Sequence, residues 1–373
     1  MKSSDELSTR LISLDVFRGL TIAGMILVNN PGTWSSIYPA LKHADWHGWT
    51  PTDFIFPFFL FILGVSMVFS FKKRIEKGND KNKLFIHVLK RSLIIFALGM
   101  FLHLFPYFNF STVRIPGVLQ RIATVYFITS LIYIFLSNRT QIILSIIILV
   151  LYWLAMMLIP VPGYGAGNLT PDGNLAAYID YSLLKGHLWR PKWDPEGLLS
   201  TFPAVVTSMI GVFTGKWLIS NRNKFEITSG MYVTGSILII LGIIWDMWFP
   251  INKYIWTSSY VLFMGGMALY FLGFCYYIIE IKNKRFWTQP FLVFGTNAIA
   301  SFFLSSLVAK MMGIIKVFNS SGNQVSLKAF IFNSLYKPYF SEINASLFFA
   351  LSYLIFWYMI MLILYRKGIF IKI

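Results

Sequence analysis

Residues 141–159 read QIILSIIILVLYWLAMMLI, and this stretch decides the class of fold. It contains no Asp, Glu, Lys or Arg. A helix of about 20 mostly apolar residues is needed to cross the hydrocarbon core of a bilayer, which is roughly 30 Å thick. The stretch is therefore predicted to be a membrane-spanning helix.

Similar segments recur on both sides of it. The sequence predicts ten spans, at about 11–30, 53–71, 88–106, 117–136, 140–159, 198–218, 230–249, 255–279, 290–311 and 346–365. The first is the least apolar, because it carries Asp15 and Arg18. We expect an all-α fold, a polytopic transmembrane helix bundle, as one domain over residues 1–373.

The composition agrees with a membrane protein. Hydrophobic residues make up 56% of the 373 residues and charged residues 13%, against about 45–50% and 25% in soluble chains. The mean hydropathy is +0.64. A net charge of +17 is typical of proteins that bind nucleic acid. The chain lacks, however, the basic modules with interleaved aromatic residues of such proteins. The single cysteine, Cys275, excludes an internal disulfide framework and a Cys-based zinc cluster.

The basic residues predict the orientation. Of the 32 Lys and Arg residues, 20 fall in one alternate set of loops and 10 in the other. Cytoplasmic loops carry the excess of Lys and Arg, so both termini are expected in the cytoplasm. The long loops at 31–52, 160–197 and 312–345 are then extracytoplasmic. In 160–197, aromatic rings beside amides and carboxylates suit a sugar, and an interfacial aromatic belt is the alternative.

Ionisable residues in or beside the spans are candidates for function, because charge in a bilayer is costly. Asp15 and Arg18 are three residues apart and can pair on one helix face, where a purely structural ion pair is the alternative. Asp53 can cap the second span or orient a neighbouring histidine. Gln120 and Arg121 follow RIPG at the start of the fourth span, where an Arg clamps a phosphate or snorkels to the interface.

The richest polar stretch is NNPGTWSSIYPALKHADWHGWTPTD, residues 29–53. His43 and His47 are four residues apart, a spacing that binds a metal if the stretch is helical. A third ligand would have to be Asp45 or Asp53, and Asp45 lies on a different helix face. We therefore expect no metal here.

Six blocks in this order resemble the bacterial relatives of the heparan-alpha-glucosaminide N-acetyltransferase family. They are SLDVFRGLTIAGMILVNN (13–30), HADWHGWTPTDFIFPFFLFILGVSM (43–67), RIPGVLQRIA (114–123), DPEGLLSTFPA (194–204), INKYIWTSSYV (251–261) and PFLVFGTNAIA (290–300). The resemblance implies a multi-pass protein of the bacterial inner membrane. It also implies transfer of an acetyl group from cytoplasmic acetyl-CoA to an amino sugar on the far side. The lysosomal member is dimeric, so a homodimer is among the expected partners, with the lipid bilayer and without nucleic acid.

The resemblance also assigns residues. His43 matches the catalytic histidine of the family and Asn29 its catalytic partner. Two departures concern the acceptor: the stretch between Asn29 and His43 is longer than in the lysosomal enzyme, and His47 stands where that enzyme has Asn. The candidates for the cofactor side are Arg121, Gln120, Arg114, Lys72, Lys73 and Arg74. The candidates for binding or orienting the substrate are Asp53, His47, Trp46, Asp15, Arg18, Asp194, Glu196 and Asn297.

These residue types suit the chemistry. An imidazole, with an ordinary pKa near 6.5, can remove the proton that an amino sugar must lose before it attacks a thioester. An amide N–H from Asn29 can stabilise the oxyanion that forms. His43 could instead attack first and carry the acetyl group.

Two other functions remain open at this point. A proton-coupled secondary transporter of amino sugars would use Asp15, Asp53 or Asp246 as proton relays. Transporters of that kind show matching broken helices in two halves, and the sequence has no such internal similarity. A membrane scaffold is the third reading, and the polar outer loops disfavour it.

Overall fold

The computed structural model describes residues 11–319 and 321–371, and within them the chain forms 13 α-helices and one small hairpin. The helices are α1 (Ile12–Asn29), α2 (Ile55–Glu76), α3 (Lys81–Leu104), α4 (Val118–Phe135), α5 (Asn138–Leu158), α6 (Leu175–Leu184), α7 (Thr201–Leu218), α8 (Lys224–Asp246), α9 (Ser258–Tyr276), α10 (Gln289–Thr296), α11 (Ala298–Ile314), α12 (Leu327–Leu335) and α13 (Glu342–Arg366). Strands β1 (Lys316–Phe318) and β2 (Gln324–Ser326) pair antiparallel. The predicted all-α, polytopic fold is confirmed.

Eight helices in the described part of the chain are long and apolar enough to cross a membrane, and nine if α10 and α11 count as one bent span. The decisive stretch 141–159 lies in α5, as predicted. The sixth predicted span, 198–218, forms the 18-residue helix α7 but does not reach the apolar character of the others. Its sequence explains this, because α7 carries Lys216, Pro203, two glycines and several hydroxyl residues. By this criterion the described residues contain eight spans, or nine with the bent pair, against about ten predicted.

The span predicted at 290–311 is broken. Helices α10 and α11 meet at Asn297 with a bend of 83°. The buried side chain of Asn297 donates through Nδ2 to Ile369 O at 3.0 Å, and its Oδ1 accepts from Ile371 N at 2.8 Å. A side chain that bonds to a distant piece of backbone at the break is a physical reason for the bend, and periodicity alone does not contain it.

The described chain divides into two compact units. The first comprises residues 11–43 and 50–55 and the described part of 271–371. In it, α1 and α10 touch backbone to backbone: a Cβ added to Gly19 would lie 1.8 Å from Phe291 O, and one added to Gly295 would lie 2.1 Å from Asp15 O. Small residues allow such close approach in membrane helices. The segment after α1 is tied to α13, where Gly32 N donates to Ser346 O at 3.1 Å.

The second unit comprises residues 44–49 and 56–270. Helices α2 and α7 make the same kind of close contact, because a Cβ on Gly64 would lie 1.9 Å from Ser208 O and one on Gly211 2.0 Å from Phe61 O. The long loop 160–197 is ordered and contains α6, whose first turn is capped by Asn174 at 2.8 Å from Ala177 N.

Candidate functional site

The segment around His43 is held in shape by two short 3₁₀ turns, Pro39–Leu41 and Pro51–Phe54, and it is not an α-helix. Thr50 Oγ1 donates to Lys42 O at 2.6 Å, and Thr52 Oγ1 donates to Ala40 O at 3.1 Å. These bonds hold the residues before His43 against the residues that start the second predicted span. The helical spacing on which a shared metal site of His43 and His47 depended is therefore absent.

His43 lies against a buried carboxylate. Its Nδ1 is 2.6 Å from Asp53 Oδ1, and the Asp53 side chain is 1% exposed while that of His43 is 33% exposed. A carboxylate that accepts from Nδ1–H fixes the tautomer of a neutral imidazole, so that the basic lone pair is on Nε2. The pair thus has the form of an oriented general base.

Asp53 has a second task at the start of its helix. Its Oδ2 accepts from Thr50 N at 3.0 Å, and the Thr50 side chain accepts from the backbone N–H of Asp53, which together make a capping box. The sequence offered helix capping and histidine orientation as alternatives for Asp53. The structure combines them, with one carboxylate oxygen for each.

Asn29 is the last residue of α1, and its side chain is exposed. The structure does not bring this side chain into a hydrogen bond with any residue of 11–319 or 321–371. The neighbouring Asn30 is the buried one, and its Nδ2 donates to Ile26 O at 2.7 Å. The role predicted for Asn29 stays a prediction.

Other predicted residues of the first unit link its helices. Arg18 Nη1 donates to Asp15 Oδ1 at 2.9 Å and to Gly295 O at 3.2 Å. The predicted pairing of Asp15 and Arg18 is present, and it connects α1 to α10. Asn297 holds the chain at 369–371, as described above. Roles of these three residues in substrate binding stay predictions.

Trp46 and His47 belong to the second unit. Trp46 stacks on Tyr254 with ring centroids 5.3 Å apart and an angle of 8°, and it meets the edge of Trp193 at 5.3 Å. Asn252, which is fully buried, contacts His47 with Nδ2 and Nδ1 3.3 Å apart. Partial desolvation of the His47 ring lowers its pKa, against the charge of Asp246, which raises it. His47 is thus held by an amide and Trp46 by a set of aromatic rings.

Three further predicted residues form one ion cluster. Arg114 donates through Nε to Asp194 Oδ2 at 2.8 Å and through Nη2 to Asp194 Oδ1 at 2.6 Å, and Nη2 also donates to Glu196. Asp194 accepts in addition from the backbone N–H groups of Trp189 and Glu196. Burial alone would lower the pKa of Arg114, but its hydrogen bonds and ion pairs with the two carboxylates outweigh burial and raise it. The cluster therefore orders the end of the long loop.

The remaining cofactor candidates lie in two places. Lys72 and Lys73 are exposed and Arg74 is half-buried in the last turns of α2. Gln120 and Arg121 are buried in the first turn of α4. Gln120 Nε2 lies 3.3 Å from His103 Nδ1. Arg121 is 2% exposed, so it does not snorkel.

Asp180 was not among the candidate residues predicted from the sequence. This residue of α6 is 1% exposed and accepts from Leu198 N at 2.8 Å. Burial raises the pKa of its carboxyl to about 7, although the N–H group of Leu198 acts in the opposite direction. A signal was present, because Asp180 follows Ala176 and Ala177 at the four- and three-residue spacing of one buried helix face.

Comparison with known proteins gives two results. The family model for the catalytic region of heparan-alpha-glucosaminide N-acetyltransferase matches residues 10–244. Heparan-alpha-glucosaminide N-acetyltransferase of Mus musculus is 30% identical over 266 residues, which is 58% of this chain and 40% of that protein. The protein of the same name from Homo sapiens is 32% identical over 262 residues, which is 57% of this chain and 39% of that protein. The matched region thus covers about two fifths of the length of these relatives.

Proposed function

The chain belongs to the family defined by the catalytic region of heparan-alpha-glucosaminide N-acetyltransferase, and from this membership we propose that it is an integral-membrane N-acetyltransferase. The proposed donor is acetyl-CoA and the proposed acceptor is the amino group of a glucosamine-type sugar. The observation that carries the proposal is the contact between His43 and the buried Asp53 in a matched region of the chain.

The proposed reaction follows from this pair. His43 Nε2 takes one proton from the protonated amino group, and the neutral amine nitrogen then attacks the thioester carbonyl carbon. The C–N bond forms, an oxyanion develops, and the C–S bond breaks as the intermediate collapses. The proton on His43 goes to the departing thiolate, which leaves as CoA with a free thiol, and the second proton on nitrogen is released to water, which leaves a neutral amide. Asp53 is a positioning residue that keeps Nδ1–H away from the substrate. We place the amide of Asn29 at the oxyanion.

We propose that the phosphates of acetyl-CoA bind at the end of α2. Lys72, Lys73 and Arg74 supply positive charge there, and a cavity of about 810 Å³ in the same unit is lined in part by Lys81 and Lys216. By the distribution of basic residues, this end faces the cytoplasm, where acetyl-CoA is made. The acceptor then approaches from the opposite side. A homodimer and a place in the bacterial inner membrane belong to the same proposal.

The test measures release of free thiol when acetyl-CoA and glucosamine are added to the purified protein. Wild-type protein should release CoA only when both are present. His43→Ala should lower kcat by about 10²–10⁴-fold, the usual contribution of general-base catalysis. His47→Ala is the matched control and should keep substantial activity, because His47 is held by Asn252 and the reaction needs one base.

Two results would count against this proposal. Turnover of His43→Ala near the wild-type rate would remove His43 from the chemistry. Uptake of labelled glucosamine into proteoliposomes, without thiol release in any variant, would identify a transporter instead.

A further inference from the structure

The buried guanidinium of Arg121 lies over the ring of Trp256, 5.2 Å from its centroid, and two of its nitrogens lack hydrogen-bond partners among the described residues. Nη2 donates to Gly197 O at 2.9 Å and to Ser200 Oγ. Nε and Nη1 are buried and have no hydrogen-bond partner within residues 11–319 and 321–371. No carboxylate of the described residues lies within 4.0 Å of this guanidinium, and the charges that act on it from farther away are those of Glu196, Asp194 and Asp180. Burying a charged group with unmade hydrogen bonds is costly, so an acceptor is expected near Arg121.

A cavity of about 310 Å³ lies beside Arg121. Its polar lining includes Gln120, Arg121 and Glu196, and the charge of Glu196 is already offset by Arg114. Its apolar walls include Phe96, Ile128, Leu198 and Phe202. Phe96, Leu198 and Phe202 are 37%, 42% and 54% exposed, so the cavity is open towards the perimeter of the helices.

The two ends of the cavity lie at different depths. Arg121 is in the first turn of α4 and Phe202 in the first turn of α7, at the level where both helices begin. Ile128 is seven residues farther along α4, which at 1.5 Å per residue is about 10 Å deeper. A polar group at the ends of spanning helices and an apolar wall below it match the head-group and acyl regions of a bilayer.

We propose that this cavity is a binding site for one bilayer phospholipid. The acyl chain lies along Ile128 and Phe96, and oxygen atoms of the glycerol–phosphate region accept hydrogen bonds from Nε and Nη1 of Arg121. Both nitrogens are closed off from solvent, so binding requires the guanidinium to turn towards the cavity. The site does not depend on the proposed acetyl transfer.

The experiment titrates phosphatidylglycerol into delipidated protein in detergent and counts bound lipids by native mass spectrometry. Wild-type protein should hold one lipid more tightly than the rest. Thr124→Phe fills the cavity from α4, and Leu198→Trp fills its mouth from the loop. Each should weaken that binding by about tenfold or more, which corresponds to about 1.4 kcal/mol. Agreement between the two variants guards against a folding defect in either one.

The matched control uses a second apolar groove of the same unit, of about 430 Å³ and without any charged side chain in its wall. Val233→Phe fills this groove and should leave the tight binding unchanged. Equal lipid binding by wild type, Thr124→Phe and Leu198→Trp would overturn the proposal. Displacement of the tightly held lipid by acetyl-CoA, one for one, would also overturn it, because the cavity would then belong to the donor.

Discussion

At the scale of single residues, Asp53 joins the start of a helix to the chemistry proposed for His43. One carboxylate oxygen accepts from Thr50 N and the other contacts His43 Nδ1. The backbone bond to Thr50 fixes the carboxylate plane, and the plane in turn fixes the direction of the imidazole. The orientation of the base is therefore set by a local capping motif.

The substitution Asp53→Asn separates these two tasks. The single carbonyl oxygen of Asn should stay on Thr50 N, because Asn is a good helix cap. Its NH₂ group then faces His43 Nδ1 and places the imidazole proton on Nε2, the wrong nitrogen for a base. We expect kcat for acetyl transfer to fall by about 10²-fold or more, with little change in the melting temperature.

Asp53→Ala is the comparison for that variant, since it removes the cap as well and should lower both kcat and the melting temperature. Wild-type turnover by Asp53→Asn would show that the carboxylate does not position His43. A joint loss of turnover and stability in both variants would leave Asp53 with a structural role only.

Some contacts of the predicted residues could be foreseen from the sequence and others could not. The pairing of Asp15 with Arg18 follows from their three-residue spacing, and contact of Asp53 with a neighbouring histidine was one of its two expected roles. The position of Asp180 against Leu198 depends on a contact between residues 18 positions apart across an irregular loop. Such a contact is set by loop packing, which has no periodic signature in the sequence.

At the scale of helices, the contact of α1 with α10 relies on the absence of side chains at Gly19 and Gly295. In a membrane, helices gain little from excluding water, and close backbone packing is a main source of their association. The ion pair of Arg18 and Asp15 adds a bond to Gly295 O at the same contact.

Gly19→Ala should disrupt this contact. The new Cβ would meet the carbonyl oxygen of Phe291 at 1.8 Å, and backbone cannot move aside as a flexible side chain does. Overpacking of this kind costs about 1–3 kcal/mol, and thermal unfolding in detergent measures it.

Gly313→Ala in α11 is the control, because a Cβ there meets no atom of the described residues within 4 Å. Both variants gain the same helix propensity from alanine, so the difference between them isolates the contact at Gly19. Equal melting temperatures for the two variants would contradict the role assigned to close packing.

The bend between α10 and α11 could not be predicted from the sequence. Apolar content correctly located a hydrophobic segment at 290–311, but it carries no information about the partner of Asn297. The amide of Asn297 bonds to backbone 72 and 74 positions away along the chain. Long-range bonds of this kind decide whether an apolar stretch is straight or broken.

At the scale of the whole molecule, hydropathy gives the class of fold and the basic residues give its proposed orientation. The class of fold is predicted from hydropathy averaged over many residues, so single polar residues did not change that prediction. Helix α7 does not follow this rule. Its mean hydropathy is marginal, so its polar residues decide whether it counts as a membrane span. Mean hydropathy does not predict how the helices pack within each unit.

The proposed orientation predicts a labelling pattern. Ala166→Cys lies in an exposed part of the loop 160–197 and should react in intact cells with a maleimide that cannot cross membranes. Lys77→Cys, exposed between α2 and α3, should react only after permeabilisation. The native Cys275 is buried, so background labelling should be low. The reverse pattern would mean that the termini face outward.

The aromatic cluster of the second unit has an optical consequence. Trp46, Trp189 and Trp193 form a chain of rings whose neighbouring centroids are 5.3 and 5.5 Å apart. At these separations the electronic transitions of indole rings couple, and the near-ultraviolet circular dichroism depends on their fixed mutual angles. The contribution of this cluster to the signal should be lost when the cluster loosens, even while the helices keep their far-ultraviolet signal. The protein thus contains a label-free reporter of the tertiary packing around Trp46.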